Sequence, residues 1–299
     1  MISAPRLSIV IPAHDEGPLI ASTLARALNG AIPGEFEVVV VANGCRDDTA
    51  AQARTIEGVS VCEISAASKI AALNAGDQVA TVFPRIYLDA DVEVDTVTLR
   101  ELAEVLAATD EPRIASPRLR VDASGSSWAV RQHVRIWEQS DYRQRGHIGS
   151  GIYAVNATGR ARWGRFPDVI ADDRFAQQRF ASEERITLPE GCFTVRAPRD
   201  MPAHIRRATR IEVGNRRLRT DQQVAAVESA PRRFARLLGR VAARPALWPA
   251  LPVYVYGYGV PMVRARGVRR TGSSVAWSRD TSLRTAAAAE SLESSVVRP

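Results

Sequence analysis

Apolar segments of strand length alternate with segments of helical spacing along residues 7–116. Strands are predicted at 7–11, 36–41, 59–64, 85–88 and 113–116, and helices at 17–28, 47–55, 67–79 and 96–107. Chains that alternate in this way form a mostly parallel sheet with helices on both faces. We therefore expect an α/β fold whose ligands bind at the carboxyl ends of the strands.

An acidic pair, Asp89 and Asp91, follows the fourth predicted strand. Residues two apart on an extended strand point the same way, so both carboxylates can converge on one divalent cation or on a ribose hydroxyl beside it. This spacing also occurs by chance near helix caps, and Asp95 could cap the helix that begins at Thr96. We favour a metal site because polar segments also end the first two strands, and a second acidic pair follows at 172–173.

Four segments together resemble the inverting, nucleotide-sugar dependent glycosyltransferases of family 2. They are LSIVIPAHDE at 7–16, VVVANGCRDDT at 39–49, KIAALNAG at 69–76 and LDAD at 88–91. The resemblance covers about the first 220 residues and implies a GT-A (Rossmann-like) fold, here followed by a helical, apolar C-terminal extension. It also implies a nucleoside diphosphate sugar as donor and a divalent cation, Mg²⁺ or Mn²⁺, on its diphosphate.

The same resemblance assigns the donor site. It makes Asp91 the direct metal ligand, while Asp89 orients the ribose or a metal-bound water. The family usually has two acids where this chain has Ala42 and Asn43, and a serine where it has Cys45. These differences leave the identity of the nucleobase undetermined. The Asn43 amide can still pair with a base edge. The expected donor-binding residues are Pro12, Ala13, Asp15, Glu16, Asn43, Asp47, Lys69, Asp89, Ala90, Asp91, Arg207 and Arg210, with an N-cap role as the equal alternative for Asp47.

Lys69 is the single lysine in a chain with 39 arginines. Most lysines are solvated surface groups. A lysine retained where arginine is otherwise used indicates a site that needs a compact point charge instead of a planar fork. Because Lys69 also coincides with the lysine of the family, we favour a functional role.

A glycine-containing loop at 146–153 and the later acidic pair resemble the acceptor side of the family. The resemblance implies that Gly149, Ser150, Gly151 and Tyr153 contact the acceptor. It places the catalytic base at Asp173, with Asp172 as a supporting acid or a helix N-cap. In an inverting transfer the acceptor hydroxyl attacks the anomeric carbon, so a carboxylate must reach that hydroxyl at about 2.6–3.2 Å. The alternative is that both acids only begin a helix.

A basic segment at 204–210 is similar to the one that closes over the diphosphate in processive members, although their Gln and Trp are missing. Arginine forks suit phosphate oxygens, which makes Arg207 and Arg210 candidates, and a solvated basic helix face is the equal alternative. His204 is a candidate third metal ligand, although a histidine without a metal role is more common.

The pattern changes after residue 225. Residues 231–244 predict a basic amphipathic helix. Residues 245–263 are apolar and aromatic, but four prolines argue against a membrane-spanning helix. We predict either an interfacial hairpin with Trp248 at headgroup level, or an apolar subdomain that docks on the catalytic core or forms a homodimer contact. The predicted domains are 1–225, with halves 1–117 and 118–225, a 226–270 extension, and a flexible 271–299 tail.

Composition limits the partners and the compartment. The net charge of +7 favours anionic partners such as sugar nucleotides or lipid phosphates, and its spread from end to end argues against nucleic acid. Three cysteines without metal-type spacing predict free thiols in a reducing compartment. With no secretion signal visible at the N-terminus, we expect a cytoplasmic protein, free or peripheral at the inner face of the cell membrane.

Together with these patterns, the resemblance implies a metal-dependent inverting glycosyltransferase that acts on a hydroxyl acceptor, a sugar or a lipid-linked sugar, in cell-envelope or polysaccharide synthesis. A dehydrogenase would need Gly-x-Gly-x-x-Gly, which is absent, and a sugar nucleotidyltransferase would need a Gly-rich loop after the first strand. A catalytically inactive sugar-nucleotide-binding or scaffolding relative stays as the alternative, supported by the altered 42–43 loop.

Overall fold

The computed structural model describes residues 5–144, 148–218 and 230–271. The predicted tail from 272 onward lies outside these residues. The strands are β1 Leu7–Ala13, β2 Phe36–Asn43, β3 Val59–Ile64, β4 Arg85–Leu88, β5 Glu93–Val94, β6 Ile114–Asp122, β7 Ile152–Val155 and β8 Arg185–Arg196. The helices are α1 Gly17–Ala27, α2 Thr49–Arg54, α3 Lys69–Val79, α4 Thr96–Ala107, α5 Trp128–Trp137, α6 Asp141–Gln144, α7 Ala157–Arg160, α8 Asp172–Gln177, α9 Met201–Arg217, α10 Ala230–Ala242 and α11 Leu251–Thr271.

The strands form one sheet in the order β3-β2-β1-β4-β7-β6-β8-β5. The pairs β1/β2, β1/β4 and β2/β3 are parallel, which confirms the alternating pattern of the first half. The pairs β4/β7 and β6/β7 are antiparallel. Strand β7 therefore lies directly beside β4 and places the chain around residue 150 next to the end of β4.

The described residues form two compact units. The first contains residues 5–120 and 148–195, and the second contains residues 121–144, 196–218 and 230–271. The division of function along the chain into donor and acceptor halves stays a prediction, because compactness does not assign a role to either unit.

Helix α3 packs closely on β1 in the first unit. A Cβ atom on Gly76 would lie 2.3 Å from Val10 Cγ1, so only glycine permits this approach. Asn74 binds the backbone of Phe166 twice, through Nδ2 at 3.0 Å and Oδ1 at 2.8 Å. Asp77 pairs with Arg85 and Arg160, both at 2.7 Å. These contacts fix the helix whose first residue is Lys69.

The second unit contains the C-terminal segment. Helix α11 packs on α9 and α5, and Leu237, Val241 and Tyr254 belong to its buried apolar core. The predicted amphipathic helix is present as α10, whose Arg236 and Arg240 bind Asp141. Hydrogen bonds from Arg236 lead the interactions that lower the pKa of Asp141 to about 2.

The predicted hairpin at 245–263 is wrong. Residues Pro245–Ala250 form a 3₁₀ turn, and a continuous helix follows from Leu251. Pro252 lies in the first turn of that helix, where no backbone N–H is needed, so it starts the helix instead of breaking it. Within the described ranges, no helix is both long and apolar enough to cross a membrane.

Candidate active site

Some of the predicted donor and acceptor residues of the first unit lie together at the carboxyl ends of β1 and β4. A small pocket there is lined by Pro12, Lys69, Leu73, Tyr87, Leu88, Asp89, Gly151, Tyr153, Asp172 and Asp173. Seven of these ten residues were predicted from sequence, and they are Pro12, Lys69, Asp89, Gly151, Tyr153, Asp172 and Asp173. Leu73, Tyr87 and Leu88 were not, because all three have the pattern of ordinary core residues in α3 and β4.

Lys69 joins the two acidic pairs. Its Nζ lies 2.6 Å from Asp89 Oδ1 and 2.8 Å from Asp172 Oδ1. A cation at the first residue of a helix opposes the helix dipole, so the two carboxylates are needed to hold it there. Burial alone would lower the pKa of Lys69, but the charges of Asp172 and Asp89 outweigh it and raise that pKa above its ordinary value. Lys69 is therefore a permanent positive charge between the pairs.

Asp172 is buried, with 3% of its side chain exposed. One carboxylate oxygen binds Lys69, and the other accepts a hydrogen bond from the Tyr153 hydroxyl at 3.2 Å. Burial raises the pKa of Asp172 to about 6, opposed by Lys69 and assisted by the neighbouring charges of Asp173 and Asp89. The N-cap position of α8 is Ala171, so Asp172 begins the helix and does not cap it.

Asp173 lies against the glycine loop. Its Oδ2 accepts a hydrogen bond from Ser150 N at 2.9 Å, and its Oδ1 accepts one from Arg174 N at 2.7 Å. Gly149 has a φ of 103°, and a Cβ atom there would lie 2.4 Å from Asp173 Oδ2. Only glycine allows the loop backbone to reach this carboxylate. The structure thus brings together the predicted base and the predicted acceptor loop.

The Asp89–Asp91 segment is held by backbone contacts. Asp89 N donates to Gly151 O at 2.7 Å, and the Thr23 hydroxyl donates to Ala90 O at 2.9 Å. Asp91 is exposed. Asp95 caps α4 by accepting from Thr98 N at 2.7 Å, so the capping role belongs to Asp95.

The loops after β1 and β2 bind each other. Asp15 Oδ1 accepts from Arg46 N at 2.7 Å, and Asp47 Oδ2 accepts from Gly17 N at 3.0 Å. Asp47 also accepts from Thr49 N at 3.1 Å, whereas Asp48 holds the N-cap position of α2. The backbone N–H of Glu16 donates to the Thr49 hydroxyl at 2.7 Å.

Asn43 is fully buried. When its amide is oriented so that nitrogen donates to Ala13 O at 2.7 Å, its oxygen accepts from Ser68 N at 3.3 Å. Asn43 therefore joins the ends of β1, β2 and α3. Its contact with a base edge stays a prediction.

The remaining candidates lie on α9 in the second unit. The His204 ring packs 4.1 Å from the His133 ring, and its Nε2 lies 3.2 Å from Gly257 O. Burial lowers the pKa of His204. Arg207 donates to Arg196 O at 3.4 Å. The metal role of His204 and the phosphate roles of Arg207 and Arg210 stay predictions.

The acidic residues suit a hard divalent cation. Carboxylate oxygens are the donors that Mg²⁺ and Mn²⁺ prefer, and Asp89 and Asp91 supply them at the end of a strand, with Asp91 open to solvent. The fold and this arrangement of acids define the class of protein as a GT-A type glycosyltransferase. Residues 8–169 match glycosyl transferase family 2, and the chain belongs to this family.

A solved structure shares the fold. A mannosyltransferase from Pyrobaculum calidifontis, solved with GDP-mannose and Mn²⁺, is 21% identical with a TM-score of 0.55. The match covers 98% of this chain and 87% of that one. Glucosyl-3-phosphoglycerate synthase from Mycobacterium tuberculosis, solved with Mn²⁺, UDP and glucosyl-3-phosphoglycerate, is 18% identical over 64% of this chain and 71% of that one, with a TM-score of 0.41. Among curated proteins, none matches the sequence.

Proposed function

We propose that this protein transfers a sugar, with inversion, from a nucleoside diphosphate sugar to a hydroxyl acceptor, with Mg²⁺ or Mn²⁺ on the diphosphate. The observation that carries the proposal is the Lys69 bridge, which holds Asp89 of the donor side and Asp172 of the acceptor side 2.6 and 2.8 Å from one ammonium group. Donor and acceptor groups must lie this close for a single displacement.

Asp91 and Asp89 would hold the cation, which when bound supplies positive charge to the departing diphosphate. Lys69 keeps the Asp89 carboxylate in place from the opposite side. An ammonium group fits between two carboxylates as a point charge, whereas a guanidinium is planar and wider. This difference gives a physical reason for the one lysine of the chain to stand at this position.

Asp173 would take the proton of the acceptor hydroxyl. Each of its oxygens accepts one backbone N–H, so each keeps a further lone pair for the acceptor. Asp172 would act through its neighbours, because Lys69 and Tyr153 occupy both of its oxygens. The Gly149–Gly151 backbone would border the acceptor sugar, and Tyr153 would position Asp172.

Nucleotide binding tests this proposal. Calorimetric titration of UDP, GDP and dTDP is expected to give one nucleotide whose affinity falls about tenfold or more when Mn²⁺ is chelated, a loss of about 1.4 kcal/mol or more. Asp91→Ala should remove this metal-dependent part, whereas Glu57→Ala, which deletes an exposed carboxylate before β3, should leave it. Undiminished affinity in the chelated wild-type protein would exclude the cation from the donor site.

We also propose that the second unit associates with anionic membranes, where a lipid-linked acceptor would lie. Trp248, Tyr256 and Val263 are 56%, 55% and 67% exposed, and the exposed Arg244 and Arg264 flank residues 245–263 in the sequence. Aromatic rings with nearby arginines are typical of interfacial contacts with acidic lipids.

Vesicle co-sedimentation tests the membrane contact. The full-length protein is expected to bind anionic vesicles at low salt, and a Trp248→Ala, Tyr256→Ala double variant should bind about tenfold or more weakly, since two aromatic side chains no longer enter the interface. Ile32→Ala is the control, because Ile32 is equally exposed at 66% but lies in the first unit. If the wild-type protein stays in the supernatant at low salt, the membrane proposal is wrong.

A further inference from the structure

Three side chains of different chemistry form a cluster that does not include Asp89 or Asp91. They are His14 and Asp15, which follow β1, and Cys45, which follows β2. One ligand atom from each lies within 4.8 Å of the others, and all three residues are half-buried. The strands β1 and β2 are parallel neighbours up to the pair Ala13 and Ala42, so both loops leave the same edge side by side.

The backbone directs Asp15 into this cluster. Its φ of 50° lies in the left-handed region, which residues other than glycine rarely adopt. In this conformation Oδ1 accepts from Arg46 N at 2.7 Å, and Oδ2 lies 3.6 Å from His14 Nε2. Strained backbone of this kind clusters at ligand-binding positions.

His14 is oriented as a metal ligand would be. Its Nδ1 contacts Asn43 O, and because a carbonyl oxygen only accepts, Nδ1 carries the proton. In a ring that carries a single proton, the lone pair is then on Nε2, which lies 3.6 Å from Asp15 Oδ2. Histidines that bind metals usually donate their other ring N–H to a backbone carbonyl or a carboxylate in this way.

The donor set selects the metal. A thiolate, an imidazole and a carboxylate are ligands of Zn²⁺, whereas Mg²⁺ prefers oxygen alone. In a tetrahedral zinc site the ligand atoms are about 3.5 Å apart, so side-chain movements of about 1 Å would close the cluster. Cys45 also lines an open groove of about 410 Å³, together with Glu63 and Ser65, so the thiol is accessible from solvent.

We propose that His14, Asp15 and Cys45 bind one Zn²⁺ ion, with the fourth ligand supplied from outside the protein. This cluster does not include Asp89 or Asp91, and Zn²⁺ binding there does not require the proposed transferase activity, although Asp15 is also one of the expected donor-binding residues. Three protein ligands with one open position are the arrangement of zinc sites that exchange a water or another small ligand.

Metal titration of the reduced, chelator-treated full-length protein tests the site. Zn²⁺ is expected to bind with a stoichiometry of one, and Co²⁺ in its place should show a near-ultraviolet thiolate-to-cobalt charge-transfer band. Cys45→Ser should remove that band and weaken Zn²⁺ binding by about a hundredfold or more, and Asp15→Asn should weaken it by about tenfold or more. Asn tolerates the left-handed backbone of Asp15, so this second variant keeps the loop.

The controls separate this site from other thiols and acids. Cys62→Ser and Cys192→Ser remove the other two half-exposed thiols and should leave Zn²⁺ affinity unchanged. Asp91→Ala should also leave it unchanged. A cobalt complex without the charge-transfer band, or a Cys45→Ser protein that binds Zn²⁺ like the wild type, would overturn the proposal. Loss of binding in Cys62→Ser or in Asp91→Ala would overturn it as well.

Discussion

Asp173→Asn is expected to lower turnover by about 10²–10⁴-fold and to change donor affinity by no more than a few-fold. The amide keeps the size of the carboxylate but does not accept a proton from the acceptor hydroxyl. It also accepts from only one of Ser150 N and Arg174 N, so about 1–3 kcal/mol of stability is lost and the folded fraction must be measured alongside turnover.

Asp172→Asn is the matched comparison. Its oxygens are occupied by Lys69 and Tyr153, so we expect a smaller loss of turnover from this change than from Asp173→Asn. If Asp173→Asn keeps near wild-type turnover under conditions where chemistry limits the rate, Asp173 is not the base. Asp172 or the exposed Asp168 then becomes the candidate.

Lys69→Met is expected to lower the free energy of unfolding by about 3 kcal/mol at pH 8. The change leaves Asp172 buried without its cation, whereas Asp89, 34% exposed, can turn to water. Lys69→Arg is the control, because it keeps the charge but not the compact shape, and its loss should be smaller. Denaturant unfolding measures both variants.

The loss of unfolding free energy in Lys69→Met should be smaller at acid pH. Burial raises the pKa of Asp172 to about 6 even beside Lys69, and removing Lys69 raises it further. Between a pKa near 4 in the unfolded chain and the raised pKa of Asp172 in the folded chain, the folded state binds more protons than the unfolded state. The free energy of unfolding therefore falls as pH rises through this range. The Lys69→Met protein should therefore be closer to wild type at pH 5.5 than at pH 8. Equal unfolding free energies at pH 8 would mean that the Lys69 bridge contributes no net stability.

The parallel part of the fold follows from the sequence because each of its strands is a short apolar run between helical segments. The β7 pairing could not be predicted in this way, since it joins β4 to residues about 65 positions later and leaves no local pattern. The hairpin prediction failed because proline was treated as a helix breaker, although Pro252 occupies a helical first turn and the helix continues through Pro261.

The site was predictable in part. The acidic pairs, the glycine loop and Lys69 stand out as residue types at strand ends or as a single exception in composition. The sequence does not show that Lys69 reaches both Asp89 and Asp172, because the second contact depends on where β7 places α8. The sequence likewise does not distinguish the roles of Asp172 and Asp173. Their contacts in the structure differ, because Asp172 binds Tyr153 whereas Asp173 binds Ser150.

The consumption of a sugar nucleotide tests the central claim most directly. The donor would carry the nucleotide that binds in calorimetry, and its consumption would be followed by phosphorus NMR with Mn²⁺ and an extract of lipid-linked acceptors. Wild-type protein is expected to release the nucleoside diphosphate and to form a product of inverted anomeric configuration, and Asp173→Asn or chelation should suppress both. A bound donor that stays intact with Mn²⁺ and acceptor present would contradict catalysis and leave the inactive, sugar-nucleotide-binding alternative.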